Sequence, residues 1–205
     1  MKQNSSMKMI YGLIGIFLVG IGVAFNASTM FGNDPIGIVY DGVRNVFNLS
    51  TRQLGMASNV VNIGLIILLL FTGRKYVNVG TFIYIIPYGF FVSIGTKLYT
   101  VLVGSNTVVL RSLAGIIGCL ALYTGVAIFI VMDIGLDPFT GLVMTIKDKI
   151  SWDYKKTKIF FDVFMVIIGV LLGGKWGVIT LVTAFTAGPM IQLISERLRI
   201  LLLNR

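Results

Sequence analysis

The chain has 205 residues, 56% of them hydrophobic and only 12% charged; its mean hydropathy of +0.92 lies outside the range of soluble domains and fits a polytopic helical membrane protein. Its net charge of +9 does not point to nucleic acid, because the basic residues stand at the ends of apolar segments rather than on one face among aromatics. There is no histidine and one cysteine, Cys119, in an apolar run, which excludes an intrachain disulfide and the usual metal sites; no cofactor is expected, and a proton-linked step would use carboxylates.

In chain order, the first apolar stretch is Met9 to Asn26, behind Lys2 and Lys8. This resembles a signal peptide, but the stretch has a duplicate at Ser112 to Phe129, so it is read as a retained first span. Gly32-Asn33-Asp34-Pro35 follows, then a segment from Pro35 to Asn48 that is about half the length a span requires. Ile36, Val39, Tyr40, Val43 and Phe47 share one helical face of it, with Asp41, Arg44 and Asn45 on the other. The second span is Leu54 to Thr72, carrying Asn59 and Asn62 inside an apolar run, and the third is Val79 to Leu102, with Pro87.

The fourth span, Val109 to Met132, leads to Gly135-Leu136-Asp137-Pro138 and a second short amphipathic segment, Pro138 to Lys149, with Phe139, Leu142, Val143 and Ile146 on one face. Ile159 to Gly173 is the weakest span, interrupted by Asp162, and Val178 to Ile194, with Pro189, is the sixth. Tyr76, Trp152, Tyr154 and Trp176 fall at span ends, where amphipathic rings favour the membrane interface. Asp133, at the end of the fourth span, is expected to be solvated.

The two Gly-x-Asp-Pro steps are 103 residues apart, and the same offset pairs Gly12 with Gly115, Gly15 with Gly118, Gly22-Val23-Ala24 with Gly125-Val126-Ala127, Arg44 with Lys147, Arg52 with Lys155 and Asn59 with Asp162. Beyond these positions the register slips by a few residues, so that Gly80-Thr81 and Gly89 match Ile179-Thr180 and Gly188. The chain is an internal duplication, with repeats over about 9–103 and 112–199 in one membrane domain. Three crossings per repeat force the second copy to enter from the opposite side, so the fold expected is all-α, six transmembrane helices in two inverted three-helix repeats, each with a short amphipathic or re-entrant helix. Allotting charges to alternate sides puts twelve of the 17 lysines and arginines with the termini and five (Arg44, Arg52, Lys97, Arg111 and Lys175) opposite, which places both termini in the cytoplasm.

Each residue of Gly-x-Asp-Pro has a local role: glycine permits the turn, aspartate caps a helix and proline suits its first position. A functional role is added if the two capped N-termini meet between the repeats, as discontinuous helices do in inverted-repeat transporters. Asp34 and Asp137 would then neutralise the helix dipoles that otherwise attract anions, favouring a cation, a proton-coupled solute or a neutral polar molecule. Asn59, Asn62 and Asp162 are the further candidate site residues, since polar groups inside spans are costly and functional by default; for Asp162 the alternative is a structural carboxylate reaching Lys158 one turn away. The repeated glycines suit close helix packing, and Pro87 and Pro189, near Gly89 and Gly188, are candidate hinges. No nucleotide, nucleophile or metal motif is present, so an enzyme is not expected.

The glycine-rich first helix, the Gly-x-Asp-Pro step, the amphipathic segment after it, Gly80-Thr81 and Gly188-Pro189 together resemble the bacterial YczE/YyaS/YitT integral membrane proteins over nearly the whole length. The resemblance implies a multi-pass protein of the bacterial cytoplasmic membrane, closer to the short YczE-like type because the chain stops at Arg205 without the soluble domain of YitT-like members. Where such proteins often read Gly-Pro-x-Ile-Asp, this chain has Gln192 in place of the aspartate and Phe90 after Gly89. The family brings no settled activity with it. The leading expectation is a small-solute transporter or channel working in the lipid bilayer, alone or as a homo-oligomer. The alternative is a ligand-binding or regulatory subunit serving a partner such as an energy-coupling ATPase, docked on the basic stretch Lys147 to Lys158.

Overall fold

The computed structural model describes residues 5–50, 53–104, 107–134 and 136–203; Lys2, Arg52, Gly135 and Arg205 lie outside the described residues. These form eight α-helices: α1 (Ser5–Ser28), α2 (Pro35–Val46), α3 (Leu54–Thr72), α4 (Val79–Leu102), α5 (Val108–Met132), α6 (Pro138–Ile150), α7 (Tyr154–Leu171) and α8 (Val178–Leu203), with a 3-10 turn at Arg74–Tyr76. No strand occurs among the described residues. Five helices, α1, α3, α4, α5 and α8, are long and apolar enough to cross a membrane. Their outer faces carry side chains such as Phe71, Ile86 and Val101, 86%, 81% and 80% exposed, which a bilayer covers without cost. The protein is a polytopic helical membrane protein. The fifth predicted span, α7, has 18 residues and opens with Lys155, Lys156 and Lys158, so it falls short of that criterion.

The centre of the fold is the contact between α1 and α5. A Cβ placed on Gly15 would lie 2.9 Å from the Gly125 carbonyl oxygen, and one on Gly22 would lie 2.6 Å from that of Gly118. As the residue number rises along α1 it falls along α5, so the two helices run antiparallel. Each of these contacts is the other's image under the 103-residue offset. Lipid gives helices no hydrophobic reason to associate, so backbone approach through small residues supplies the packing. Ile16, Val23, Ala24, Ala127 and Phe129 fill the rest of the seam, all nearly fully buried.

The other helices repeat the exchange: α4 lies on α1 as α8 lies on α5, and α3 on α4 as α7 on α8. Two backbone bonds tie the helix starts across the repeats. Gly80 N–H donates to the Ile134 carbonyl at 2.9 Å, and Ile179 N–H to the Phe31 carbonyl at 3.0 Å. The short helices cross between the halves: α2 packs on α7 and α3, α6 on α3 and α7. They do not lie open on a surface. Asp41 and Arg44, expected on a solvated face, are buried, joined to each other by an ion pair of 2.8 Å, and Asp41 also accepts the Lys175 N–H at 2.9 Å. Phe47, expected on the apolar buried face, is 64% exposed beyond the last turn of α2. Asp133 caps α5 in a left-handed conformation and is exposed, as expected.

Candidate functional site

The cavity where the two short helices begin

Both Gly-x-Asp-Pro steps build helix starts as their local chemistry dictates. Asp34 Oδ2 accepts the Gly37 N–H at 3.2 Å and Asp137 Oδ1 the Thr140 N–H at 3.0 Å, each ahead of a proline in the first helical position. Gly32 has φ +95°, and a Cβ there would lie 2.3 Å from the Gly177 nitrogen, so this turn accepts glycine alone. Asp34 and Asp137 are buried and line the same cavity. Tyr40, Tyr84, Tyr88, Thr140 and Lys158 complete its polar wall. Its volume is about 40 Å³, room for a water or two or a small ion rather than the several hundred Å³ an organic ligand fills.

Lys158 belongs to the stretch expected to be basic and cytoplasmic, and it is also the partner that the structural alternative gives Asp162. It is 5% exposed and donates to Asp162 Oδ1, one turn along α7, so the pair forms, but buried rather than solvated. Gly188 makes the room, since a Cβ there would press at 3.1 Å on the Lys155 carbonyl oxygen and at 3.4 Å on the Lys158 Cβ. The pair has no match under the 103-residue offset: Asn59 falls opposite Asp162, and Gly55, four residues earlier, falls opposite Lys158. Three carboxylates and one ammonium thus gather in a region from which water is largely excluded, where unpaired charge is expensive. Two carboxylate oxygens, Asp34 Oδ1 and Asp162 Oδ2, have no hydrogen-bond partner among the described residues.

Of the other expected site residues, Asn62 joins the site from behind and Asn59 does not. Asn62 is fully buried and accepts the Tyr40 hydroxyl at 3.2 Å, orienting a cavity tyrosine. Asn59 lies against Gly89 of α4, its amide nitrogen 2.6 Å from where a Cβ would stand, and serves the α3–α4 contact. Tyr84 and Tyr88 went unnoticed in the sequence; their rings stack at 4.9 Å, and Tyr88 meets Tyr40 at 6.0 Å. Two tyrosines four residues apart in mid-span, away from the interface where tyrosine is common, were the available signal.

Two wider clefts approach this centre from opposite ends of α8. One, about 700 Å³, is lined by Asn33, Asp41, Arg44, Lys175 and Trp176 beside the start of α8. The other, about 370 Å³, is lined by Lys147, Asp153, Tyr154, Glu196 and Arg199 towards its end. Asn33, adjoining Asp34, lines the first; Tyr154, one turn ahead of Lys158, lines the second.

The family model of DUF6198, a family of unknown function, matches residues 6–196. The chain belongs to the DUF6198 family. No curated protein matches it, and no solved structure does. The match to DUF6198 spans both short helices and the whole Asp34, Asp137, Lys158 and Asp162 cluster, so this cavity lies inside the family's common region. Among the described residues of this DUF6198 chain no group of histidine, cysteine or carboxylate side chains has the geometry of a metal site.

Proposed function

We propose that this DUF6198 protein is a small-solute transporter or channel whose site is the cavity between α2 and α6, taking a cation, a proton-coupled solute or a neutral polar molecule in preference to an anion. The observation that carries the reading is the convergence of two Asp-capped helix starts, one from each repeat, on one buried cavity that also holds Lys158. Six spans in two inverted repeats, with α7 as the shortest, are part of the proposal. The antiparallel α1–α5 seam, whose contacts exchange under the repeat offset, supports inversion, because a two-fold axis relating antiparallel helices runs across them. Kinship with the YczE/YyaS/YitT proteins belongs to the same reading.

On this reading the conformation is an occluded state, with one cleft closed off on each side, and the small size of the cavity supports it. By the loop charges, the cleft with Lys147 and Arg199 opens to the cytoplasm of a bacterial inner membrane and the cleft with Asn33 and Trp176 opens outside. Lys158 is then a resident cation: an incoming one gains the carboxylates only as the ammonium withdraws from them.

Reconstitution in proteoliposomes under cation, proton and polar-solute gradients tests the reading. Asp34→Asn and Asp137→Asn keep a capping side chain and remove the charge, so wild-type flux is expected to fall at least about tenfold in each. Wild-type vesicles no leakier than empty ones would sink the proposal; full flux in both variants would remove these carboxylates from it. A second reading, a subunit serving an energy-coupling ATPase, is supported by Lys149, Lys155 and Lys156, which stand exposed around the α6–α7 turn. Co-purification of such an ATPase from native membranes would favour it.

A further inference from the structure

The two halves of the molecule differ in one place where the duplication predicts likeness. In the first half α4 closes tightly on α1: a Cβ on Gly20 would lie 2.7 Å from the Phe91 Cβ, one on Gly95 2.6 Å from the Ala24 Cβ. Phe17 and Phe91 seal the seam edge to face, with ring centroids 5.3 Å apart. In the second half the positions of Gly20 and Gly95 are held by Tyr123 and Ile194, and those of Phe17 and Phe91 by Leu120 and Met190. Bulk where glycine stood holds α5 and α8 apart, and two unbranched or aliphatic chains do not fill the gap that results.

The outcome is a groove of about 530 Å³ between α5 and α8, bounded by Phe31, Gly115, Leu120, Tyr123, Ile179 and Met190. Its wall is almost wholly apolar: the hydroxyls of Tyr123 and Thr186 satisfy each other at 2.8 Å, and the other hydroxyl on it, that of Ser112, lies next to Arg111 at the groove's end. One end is different. Arg111, in the first turn of α5, stacks over the Phe31 ring with its Cζ 4.5 Å from the centroid, and its Nε–H donates to the Thr29 carbonyl at 2.8 Å. A guanidinium has further donors beyond Nε, in a fork that matches phosphate. Trp176, 61% exposed, stands two residues before Val178 at the same end, as an interfacial aromatic does at headgroup depth.

We propose that the groove between α5 and α8 holds one bilayer phospholipid, its acyl chain along Leu120, Tyr123 and Met190 and its phosphate on Arg111. The charge at one end and the apolar wall below it match the two parts of that molecule, and the site has no counterpart between α1 and α4. It is independent of whether the protein transports.

Native mass spectrometry of the protein released from mild detergent is the test. Wild type is expected to retain one phospholipid per chain. The double variant Leu120→Phe with Met190→Phe transplants the aromatic seal of the first half and should cut the lipid-bound fraction at least about tenfold; Arg111→Gln should cut it several-fold while sparing lipids without phosphate. Cys119, the single cysteine, lines the groove and reports on the unaltered protein: adding phospholipid back to delipidated wild type should slow its alkylation by N-ethylmaleimide at least about fivefold. Equal retention in wild type and a folded double variant would overturn the proposal. So would alkylation indifferent to phospholipid, which decides the matter alone if the double variant does not fold. A wild-type dimer that the double variant splits, with no change in bound lipid, would assign the groove to a second copy instead.

Discussion

Lys158 donates to Asp162 one turn further along α7, with 7% and 0% of their side chains exposed, and it reaches the cavity that Asp34 and Asp137 share. Removing one member of a buried pair leaves a charge that neither water nor a partner compensates, at a cost on the order of 3 to 5 kcal/mol. Asp162→Asn and Lys158→Met are each expected to lower the thermal midpoint in detergent, and the double variant to recover much of the loss. Additive losses in that double-mutant cycle would show that the two side chains do not act as a pair.

The caps separate charge from structure. Asp34→Asn and Asp137→Asn are expected to leave stability within about 0.5 kcal/mol of wild type, whereas alanine at either position should cost about 1 kcal/mol through the lost helix cap. Thermal unfolding of the four variants checks this, and a large loss with asparagine would mean that the carboxylate charge itself holds the fold.

The α1–α5 seam tolerates no side chain at its glycines. A Cβ on Gly22 would meet the Gly118 oxygen at 2.6 Å and the Leu122 nitrogen at 2.7 Å, and one on Gly125 the Gly15 oxygen at 2.6 Å; these are backbone atoms that cannot swing away. Gly22→Ala and Gly125→Ala should each destabilise by about 1 to 3 kcal/mol. Gly64, with nothing within 4 Å of its added Cβ, supplies the control, and Gly64→Ala should be neutral or slightly stabilising.

Lys75, in the 3-10 turn, pairs with Asp148 near the end of α6, which also accepts from the Tyr76 hydroxyl. The hydrogen bond from Lys75, then that from Tyr76, holds the Asp148 carboxyl below its usual value, and the bond to Asp148 raises Lys75. A depressed carboxyl stabilises above its unfolded value, near pH 4, and loses that contribution as pH falls through its folded value. A raised amine stabilises below its unfolded value, near pH 10, and loses its share as pH rises further. The midpoint difference between wild type and Asp148→Asn should therefore be small, level across neutral pH, and vanish in acid. Both groups are solvent-accessible, so high salt should shrink it. A difference that persists well below pH 3 would contradict the pairing.

Much of the architecture was legible because it is local. The second and third spans were placed at Leu54–Thr72 and Val79–Leu102, where α3 and α4 run, since a long apolar run between polar turns has few other uses. The short helices begin at Pro35 and Pro138 because Asp-Pro fixes a helix start within two residues. Less could be read of the site. Asn59 and Asn62 look alike in an apolar run, yet one faces α4 and the other Tyr40, because three residues along a helix leave a rotation that only its neighbours interpret.

What the sequence determined alone was a membrane protein's composition, the helix starts and the recurrence of motifs at a 103-residue offset, each a property of contiguous residues or of their spacing. The tertiary structure decided which charges meet. The spacing offers Lys158 to Asp162 one turn away, but only Gly188, by letting α8 close over it, shows that the pair is buried. Asp34 and Asp137 read as two separate caps until α2 and α6 cross between α3 and α7. Such burial and convergence depend on packing between separate helices, and hydropathy and capping carry no information on that.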